Sequence, residues 1–199
     1  MCATSGGGFA LMTEAVGAAG MMEIPVVFID VQRAGPSTGV PTKTEQGDLW
    51  QALGASQGDF PKFIVAPTSA LDAYKTMPEL FNLTDKYQCP GMVLIDLLIG
   101  EGRVSFDPDE IDMQPAIDRG ALITETAQQN GYKRYEDTES GISPRAIAGV
   151  EGYVHVVATD EHDEDSTLLS DEFTDPTKRR MMVEKRGRKM SMVLDDVPA

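Results

Sequence analysis

The chain has 199 residues, enough for one ordinary domain, and 41% of them are hydrophobic, which excludes wholesale disorder. Its 32 acidic and 17 basic residues give a net charge of -15, which excludes a primary nucleic-acid binder, because such proteins need a basic surface. No apolar run reaches the length of a membrane span, and no signal peptide is visible, so we expect no membrane contact. Cys2 and Cys89 are interpreted as reduced thiols of a cytoplasmic protein, since two distant cysteines do not make an iron–sulfur or zinc site.

The first third of the chain begins with a predicted glycine turn at 5–8 and a helix over 9–22. Residues 25–31 form an apolar run rich in β-branched side chains, which is typical of a strand buried on both faces. Any strand that feeds the glycine turn is expected to lie before Met1. Residues 34–42 are predicted to form a loop, because they are rich in Gly, Pro, Ser and Thr.

Helix and strand patterns continue to alternate up to residue 98. The predicted elements are a short helix over 46–53 and strands over 63–66 and 92–98. Ser69 is predicted to cap a helix that runs to about Tyr87, with a possible kink at Pro78. This alternation predicts an α/β fold with a parallel sheet flanked by helices. Ligands of such sheets bind beyond the carboxyl ends of the strands, so the loops after Val31 and Ala66 are candidate sites.

The second half of the chain has fewer periodic segments. Residues 101–150 are polar and rich in turns, and residues 153–158 are predicted to be a last strand. Residues 160–175 hold eight acidic and no basic residues, so a solvated loop is expected there rather than a metal site. A charged helix is predicted over 177–194, with Gly187 as its weak point, leading out of the domain.

The two histidines are not predicted to be catalytic. His155 lies in a strand pattern and is expected to be a core or half-buried residue. His162 lies in the acidic segment and is expected to be solvated, where neighbouring carboxylates would favour its charged form. Neither a Ser/His/Asp nor a Cys/His arrangement is recognisable, and the acidic segment lacks the spacing of an EF-hand.

Residues 32–46 are the most informative stretch, because two glycines and two prolines fix the path of a loop that carries Arg33 and several hydroxyls. Arginine can grip a carboxylate with two hydrogen bonds, so a carboxylate site is one interpretation. The alternative is a structural salt bridge of Arg33 with Asp30 or Glu45. The glycines at 5–8 likewise have two interpretations: a close backbone approach to a cofactor or anion, or a tight turn with positive φ.

Several segments together resemble the α subunit of 2-oxoacid:ferredoxin oxidoreductases, and most closely its 2-oxoglutarate branch. The resemblance covers nearly the whole chain in order, and the stretch from Arg33 to Gln46 is its most specific part. The matching segments are Ala3-Thr4-Ser5-Gly6, Met12-Thr13-Glu14-Ala15, Asp30-Val31-Gln32-Arg33, Gly35-Pro36-Ser37-Thr38-Gly39, Pro41-Thr42-Lys43-Thr44-Glu45-Gln46, Asp48-Leu49, Phe81-Asn82-Leu83, Lys86-Tyr87, Gly141-Ile142-Ser143-Pro144-Arg145-Ala146 and Asp160-Glu161-His162-Asp163-Glu164.

The resemblance implies a subunit of an enzyme that decarboxylates a 2-oxoacid on thiamine diphosphate, forms an acyl-CoA and reduces ferredoxin. It implies a thiamine-diphosphate-binding fold in which this chain holds the pyrimidine-binding domain. A β subunit is expected to carry the diphosphate site with Mg²⁺, and an iron–sulfur cluster is expected on the partner subunit. Arg33 is implied to bind the substrate carboxylate, with Thr42 in the same region, while Thr4, Ser5 and Gly6 are implied to lie near the cofactor.

Relative to the family, the chain is expected to be truncated at its N-terminus. The family's Thr-Pro segment and the glutamate that activates the aminopyrimidine would precede Met1, so no catalytic residue and no metal ligand is assigned, and the isolated fragment is expected to be inactive. We assign residues 1–175 to a partial pyrimidine-binding domain and residues 176–199 to a linker helix toward the next domain. A pyruvate or branched-chain 2-oxoacid enzyme, and a non-catalytic α/β remnant, remain alternatives.

Overall fold

The computed structural model describes residues 1–126, 131–170 and 176–197, and its centre is a parallel four-stranded sheet. The strands are β1 (Cys2–Thr4), β2 (Val26–Gln32), β3 (Phe63–Val65) and β4 (Pro90–Asp96). Their spatial order is β1-β2-β4-β3, and every neighbouring pair is parallel. The predicted α/β architecture is therefore confirmed, and β2, β3 and β4 lie within two residues of their predicted positions.

Helices cover both faces of this sheet. They are α1 (Gly6–Ala10), α2 (Thr13–Met21), α3 (Leu49–Leu53), α4 (Ala70–Tyr87) and α5 (Leu97–Glu101). One face packs Phe28 of β2 against Phe9 of α1 and Val16 of α2, while the other packs Val93 of β4 against Leu80 of α4. Strands covered on both faces need apolar side chains in every position, which explains why their runs are continuous in the sequence.

The N-terminal prediction requires two corrections. The strand before the glycines lies within the chain, because Cys2–Thr4 pairs with Phe28, Ile29 and Asp30 of β2. The glycines at 6–8 are helical and none has positive φ, so the tight-turn interpretation is wrong. The single predicted helix is two helices, and its first one starts three residues earlier than predicted.

The predicted cap of α4 is confirmed, since the Ser69 hydroxyl accepts a hydrogen bond from the Asp72 N–H at 3.1 Å. Pro78 lies inside α4, which continues through it to Tyr87. Gln88 follows in the left-handed conformation and ends the helix before β4.

The second half wraps around the sheet domain with little regular structure, as predicted for residues 101–150. Its short elements are a 3-10 turn over Pro108–Glu110 and the paired strands β5 (Leu122–Ile123) and β6 (Arg145–Ala146). The predicted strand at 153–158 is wrong, because the part of the chain that the structure describes has no strand over these residues. Val154 is 97% exposed, whereas Tyr153 and Ala158 are buried, so the apolar pattern reflects two anchor points rather than a sheet face.

The structure describes residues 160–170 of the acidic segment, and this part is not the solvated loop that its composition predicts. His162 is fully buried against the Tyr135 ring, with 3.9 Å between ring centroids, and burial lowers its pKa. Glu161 forms two 2.9 Å hydrogen bonds with Arg186, and Asp163 pairs with Lys178. Basic side chains from the C-terminal helix therefore neutralise the acids. The remaining part of the predicted loop, 171–175, lies outside the described residues.

The C-terminal segment comprises α6 (Pro176–Arg188), a 3-10 helix over Lys189–Met192 and α7 (Val193–Asp196). The α-helix ends one residue after Gly187, the predicted weak point. Met190 and Val193 pack onto the sheet face that α4 covers, so this segment contacts the body of the domain. The division at residue 176 stays a prediction. Among the helices that the structure describes, none is both long and apolar enough to cross a membrane.

Candidate functional site

One face of the sheet changes from apolar to polar at the carboxyl ends of its strands. Parallel register places Thr4 beside Asp30, and Gln32 beside Asp96. Because alternate residues of a strand share a face, these four side chains continue the row that Phe28 begins in the core. These four side chains, called the polar floor below, therefore lie where parallel α/β sheets bind ligands.

Close contacts of Gly6 and Gly8 hold the first helix onto this floor. A Cβ atom at Gly6 would overlap the Asp48 carboxyl group, and one at Gly8 would overlap the Thr4 side chain. Gln51 of α3 also donates a 2.9 Å hydrogen bond to the Gly6 carbonyl oxygen. The glycines of the predicted turn are thus needed for close approach rather than for a left-handed backbone.

The loop after β2 is closed by its own backbone. Ala34 and Val40 form an antiparallel bridge, in which the Val40 N–H donates to the Ala34 carbonyl oxygen at 3.0 Å. Within the loop the Gly35–Pro36 peptide bond is cis, and Gly39 has a φ of 52°. This closure fixes Arg33 at the point where β2 ends.

Replacing Gly39 by alanine is expected to open this loop, at a cost of about 1–3 kcal/mol in the free energy of unfolding. Its φ is positive, and a Cβ atom there would overlap the Ala34 carbonyl group that closes the loop. Denaturant unfolding measures the cost. Gly47→Ala is the matched control, since a Cβ atom at Gly47 would have nothing within 4 Å. Equal stability of the two variants would contradict the closure described above.

Arg33 lies beside the start of α1, which agrees with its interpretation as part of a carboxylate-binding site. A Cβ atom built on Gly7 would be 4.0 Å from a terminal guanidinium nitrogen of Arg33. Within the described ranges, Arg33 makes no salt bridge, so the alternative pairing with Asp30 or Glu45 is wrong. Its Nε is buried and has no hydrogen-bond partner. A partly buried cation without a protein anion is suited to bind an anionic ligand.

The other predicted residues lie around Arg33. Ser5 immediately precedes α1, Gly6 is its buried first residue, and Thr4 ends β1. Thr42 is exposed at the base of the loop, next to Lys43, whose carbonyl oxygen accepts the Ala34 N–H at 3.4 Å. The structure thus brings Arg33 to the Thr4–Ser5–Gly6 turn, with Thr42 at the rim.

The polar residues after Thr42 tie the loop to the end of β4. The Thr44 hydroxyl accepts a hydrogen bond from the Leu98 N–H at 3.2 Å, and Gln46 donates to Asp96 at 3.0 Å. Hydrogen bonds, first from Gln46 and then from the Ile99 N–H, lower the pKa of Asp96 and keep it ionised. The loop after β3 is separated from this site, because β4 lies between β2 and β3.

Sequence reasoning missed the roles of Asp30 and Asp48. Asp30 is 2% exposed, and burial, followed by the neighbouring Asp48 carboxylate, raises the pKa of Asp30 to about 7. The sequence did contain an indication for Asp30, because an aspartate is unusual near the end of an apolar strand that is buried on both faces. The family resemblance includes Asp48, but no local pattern places it beside Asp30, because it lies 18 positions further along the chain.

No metal centre accompanies these residues. Within 1–126, 131–170 and 176–197, no group of three or more His, Cys, Asp or Glu side chains is placed to hold a metal ion. Cys2 and Cys89 are free, and His155 is partly buried against Tyr132, with 5.4 Å between ring centroids. The site therefore offers a cation, hydroxyls and buried carboxyl groups.

Comparison with known proteins gives concordant matches. Residues 1–182 match the family model described as pyruvate flavodoxin/ferredoxin oxidoreductase, thiamine diphosphate-binding. The chain is 37% identical over 196 residues to the α subunit of 2-oxoacid:ferredoxin oxidoreductase 1 from Sulfurisphaera tokodaii, covering 98% of this chain and 30% of the relative. It is 36% identical over 187 residues to the 2-oxoglutarate oxidoreductase subunit KorA of Mycobacterium tuberculosis, covering 94% of this chain and 28% of the relative.

A solved structure is similar over almost the whole chain. It is the 2-oxoglutarate:ferredoxin oxidoreductase from Magnetococcus marinus with 2-oxoglutarate, coenzyme A and succinyl-CoA bound. The TM-score is 0.81 at 36% identity, and the match covers 99% of this chain and 33% of that one. The chain thus spans about a third of the length of the proteins that it matches.

Proposed function

Because the chain belongs to the pyruvate flavodoxin/ferredoxin oxidoreductase family of thiamine diphosphate-binding domains, we propose that it forms one side of the active site of a 2-oxoacid:ferredoxin oxidoreductase. It is part of the α subunit in this proposal. The reaction is the oxidative decarboxylation of a 2-oxoacid to an acyl-CoA, with electrons passed to ferredoxin. The observation that carries the proposal is Arg33, a guanidinium group at the carboxyl end of β2 that has no salt-bridge partner among the residues that the structure describes.

In this proposal, Arg33 binds the carboxylate of the 2-oxoacid. A guanidinium group can donate two parallel hydrogen bonds to a carboxylate, which fixes the direction of the substrate as well as its distance. Loop closure at Ala34 and Val40 holds the arginine in place before substrate arrives. Thr42, at the rim of the same loop, is proposed to complete the substrate site.

The residues present fit the aminopyrimidine side of thiamine diphosphate. Gly7 is exposed, and a Cβ atom there would lie 3.4 Å from the Ser37 carbonyl oxygen and 4.0 Å from the Arg33 guanidinium, so the exposed start of α1 borders Arg33. Thr4 and Ser5 immediately precede this helix, and Gly6 is its first residue. When bound, the cofactor supplies the nucleophilic carbon that decarboxylation of a 2-oxoacid requires.

Other groups of the reaction are proposed to lie elsewhere in the assembly. A β subunit would hold the diphosphate with Mg²⁺ and an iron–sulfur cluster, and coenzyme A and ferredoxin would bind the assembled enzyme. Two reduced thiols accord with a cytoplasmic enzyme.

We propose 2-oxoglutarate as the substrate, because relatives named for it match the chain over most of its length. The test is an assay of the complex purified with this chain, using 2-oxoglutarate, pyruvate and a branched-chain 2-oxoacid with coenzyme A and ferredoxin. We expect the highest kcat/KM for 2-oxoglutarate. A higher kcat/KM for pyruvate or for the branched-chain 2-oxoacid would make that acid the substrate instead of 2-oxoglutarate. If none of the three acids led to reduction of ferredoxin, the proposed function would be contradicted.

A further inference from the structure

Two carboxyl groups meet beneath the proposed substrate site without any donor between them. Asp30 is 2% exposed on β2, and Asp48, whose N–H binds Gln32 two residues further along the same strand face, is the neighbouring acid that raises the pKa of Asp30 after burial itself. Neither oxygen of Asp30, nor Oδ2 of Asp48, accepts a hydrogen bond from any residue in the described ranges. Two ionised carboxylates in such contact repel each other, so the arrangement requires a proton.

We propose that Asp30 and Asp48 share one proton, and that this carboxyl pair is a positioning group which holds Gly6 and the Arg33 loop at the carboxyl end of β2. Asp30 then donates to Asp48, and the contact becomes a short charge-assisted hydrogen bond. The kinetic part of this inference rests on the proposed function, whereas the shared proton does not.

The positioning role follows from what Asp48 contacts. Its carboxyl group packs directly on Gly6, and its N–H donates a 3.0 Å hydrogen bond to Oε1 of Gln32. Gln51, three residues further on, binds the Gly6 carbonyl oxygen. The pair therefore joins β2, the first residue of α1 and the start of α3. Loss of its proton would push Asp48 away from Asp30, and Gly6 and the adjacent Arg33 would move with it.

The other ionisable groups around Asp30 are engaged elsewhere. From β4, Asp96 binds Gln46 and the Ile99 N–H, and from β1, the Cys2 thiol points to the Met12 sulfur at 3.8 Å. Within the described ranges Arg33 makes no salt bridge with it, and the residues that α1 presents to this face, Gly6, Gly8 and Phe9, are not ionisable. After burial itself, Asp48 is the charged group that raises the pKa of Asp30.

The pair predicts a specific pH dependence of stability. Because an unfolded aspartate loses its proton near pH 3.8 and the folded Asp30 holds it up to about pH 7, this contribution to stability is complete below about pH 4 and is lost as the pH rises toward 7. Asp30→Asn retains the shape and the hydrogen-bond donor but cannot lose a proton. In the purified complex, we expect the melting temperature of Asp30→Asn minus that of the wild type to be at least about 5 °C higher at pH 8 than at pH 5.

Asp96→Asn is the matched control, since Asp96 lies on the same sheet face and is ionised throughout this range. Its melting temperature relative to wild type should stay constant from pH 5 to pH 8. A second measurement is the infrared band of a protonated carboxyl group at pH 6, expected in the wild type and absent in Asp30→Asn. A pH-independent difference for Asp30→Asn, or no such band in the wild type, would overturn the shared proton.

The positioning role has its own readout in the assembled enzyme. We expect the KM for the 2-oxoacid to rise roughly fivefold from pH 6 to pH 8.5 in the wild type, with kcat little affected, and to stay level in Asp30→Asn. A level KM in both would overturn positioning even if the proton is shared. Absence of 2-oxoacid turnover in the wild type, with the stability effect intact, would count against the proposed function instead.

Discussion

Replacing Arg33 by alanine is expected to lower kcat/KM for the 2-oxoacid by about 10²–10³-fold in the assembled enzyme, because two charge-assisted hydrogen bonds to the substrate carboxylate are lost. The residue is partly buried, its Nε lacks a partner, and it makes no salt bridge within the described part of the chain. Its removal therefore breaks no salt bridge among those described residues. Steady-state kinetics at several substrate concentrations measure the loss.

Two further variants define the result. Arg33→Lys keeps the charge but not the planar pair of donors, so we expect a loss between those of the wild type and Arg33→Ala. Arg180→Ala removes an exposed arginine on α6 that pairs with Glu184 four residues away, and it should change kcat/KM little. If Arg33→Ala retained wild-type kcat/KM, the proposed carboxylate-binding role of Arg33 would be wrong.

Replacing Glu23 by glutamine is expected to lower the free energy of unfolding by about 3–5 kcal/mol, because two buried lysines would lose their counter-charge. Glu23 is fully buried between α2 and β2. Lys185 binds its carboxylate at 2.8 and 3.0 Å, and Lys189 contacts it as well. Arg134 donates to its carbonyl oxygen at 2.7 Å. This cluster fastens the C-terminal helices to the sheet domain.

The same cluster predicts acid sensitivity. Burial alone would raise the pKa of Glu23, but the two lysines outweigh it and bring the pKa down to about 2. The stability that it contributes is complete above the pKa of an unfolded glutamate, and it is lost as the pH falls from about 4.5 toward 2. Calorimetry of wild type and Glu23→Gln measures both effects.

A variant that removes all three charges tests the cause. Changing Glu23 to leucine, with Lys185 and Lys189 both changed to methionine, should recover much of the lost stability, because neither lysine then remains as a buried charge without its counter-charge. If the triple variant remained as unstable as Glu23→Gln, the lost stability would be due to packing rather than to unpaired charge. Wild-type stability of Glu23→Gln would contradict the counter-charge account.

The predictable part of this fold is the part that is encoded locally. Strands β2, β3 and β4 are short apolar runs covered on both sheet faces, and such runs are recognisable in sequence. The Ser69 cap needs only a hydroxyl group three residues before the backbone N–H that donates a hydrogen bond to it. Arg33 was identified because Gly and Pro define its loop and because the family resemblance is specific there.

The remainder depends on contacts between distant residues. Glu23 and Lys185 are 162 positions apart, and Asp30 meets an acid from a different element, so no local pattern reveals either pair. The composition of the acidic segment likewise suggests solvent exposure, and only the opposing α6 shows that Glu161 is neutralised by Arg186. Tertiary contacts thus reversed the local expectation for His162, which is buried.

The most direct test of the proposed active site is a crystal structure of the assembled enzyme with its 2-oxoacid bound. We expect the substrate carboxylate to accept hydrogen bonds from the Arg33 guanidinium, next to Gly7 and the loop that Ala34 and Val40 close. A substrate carboxylate held by other residues, with Arg33 paired to a protein or partner acid, would contradict the account.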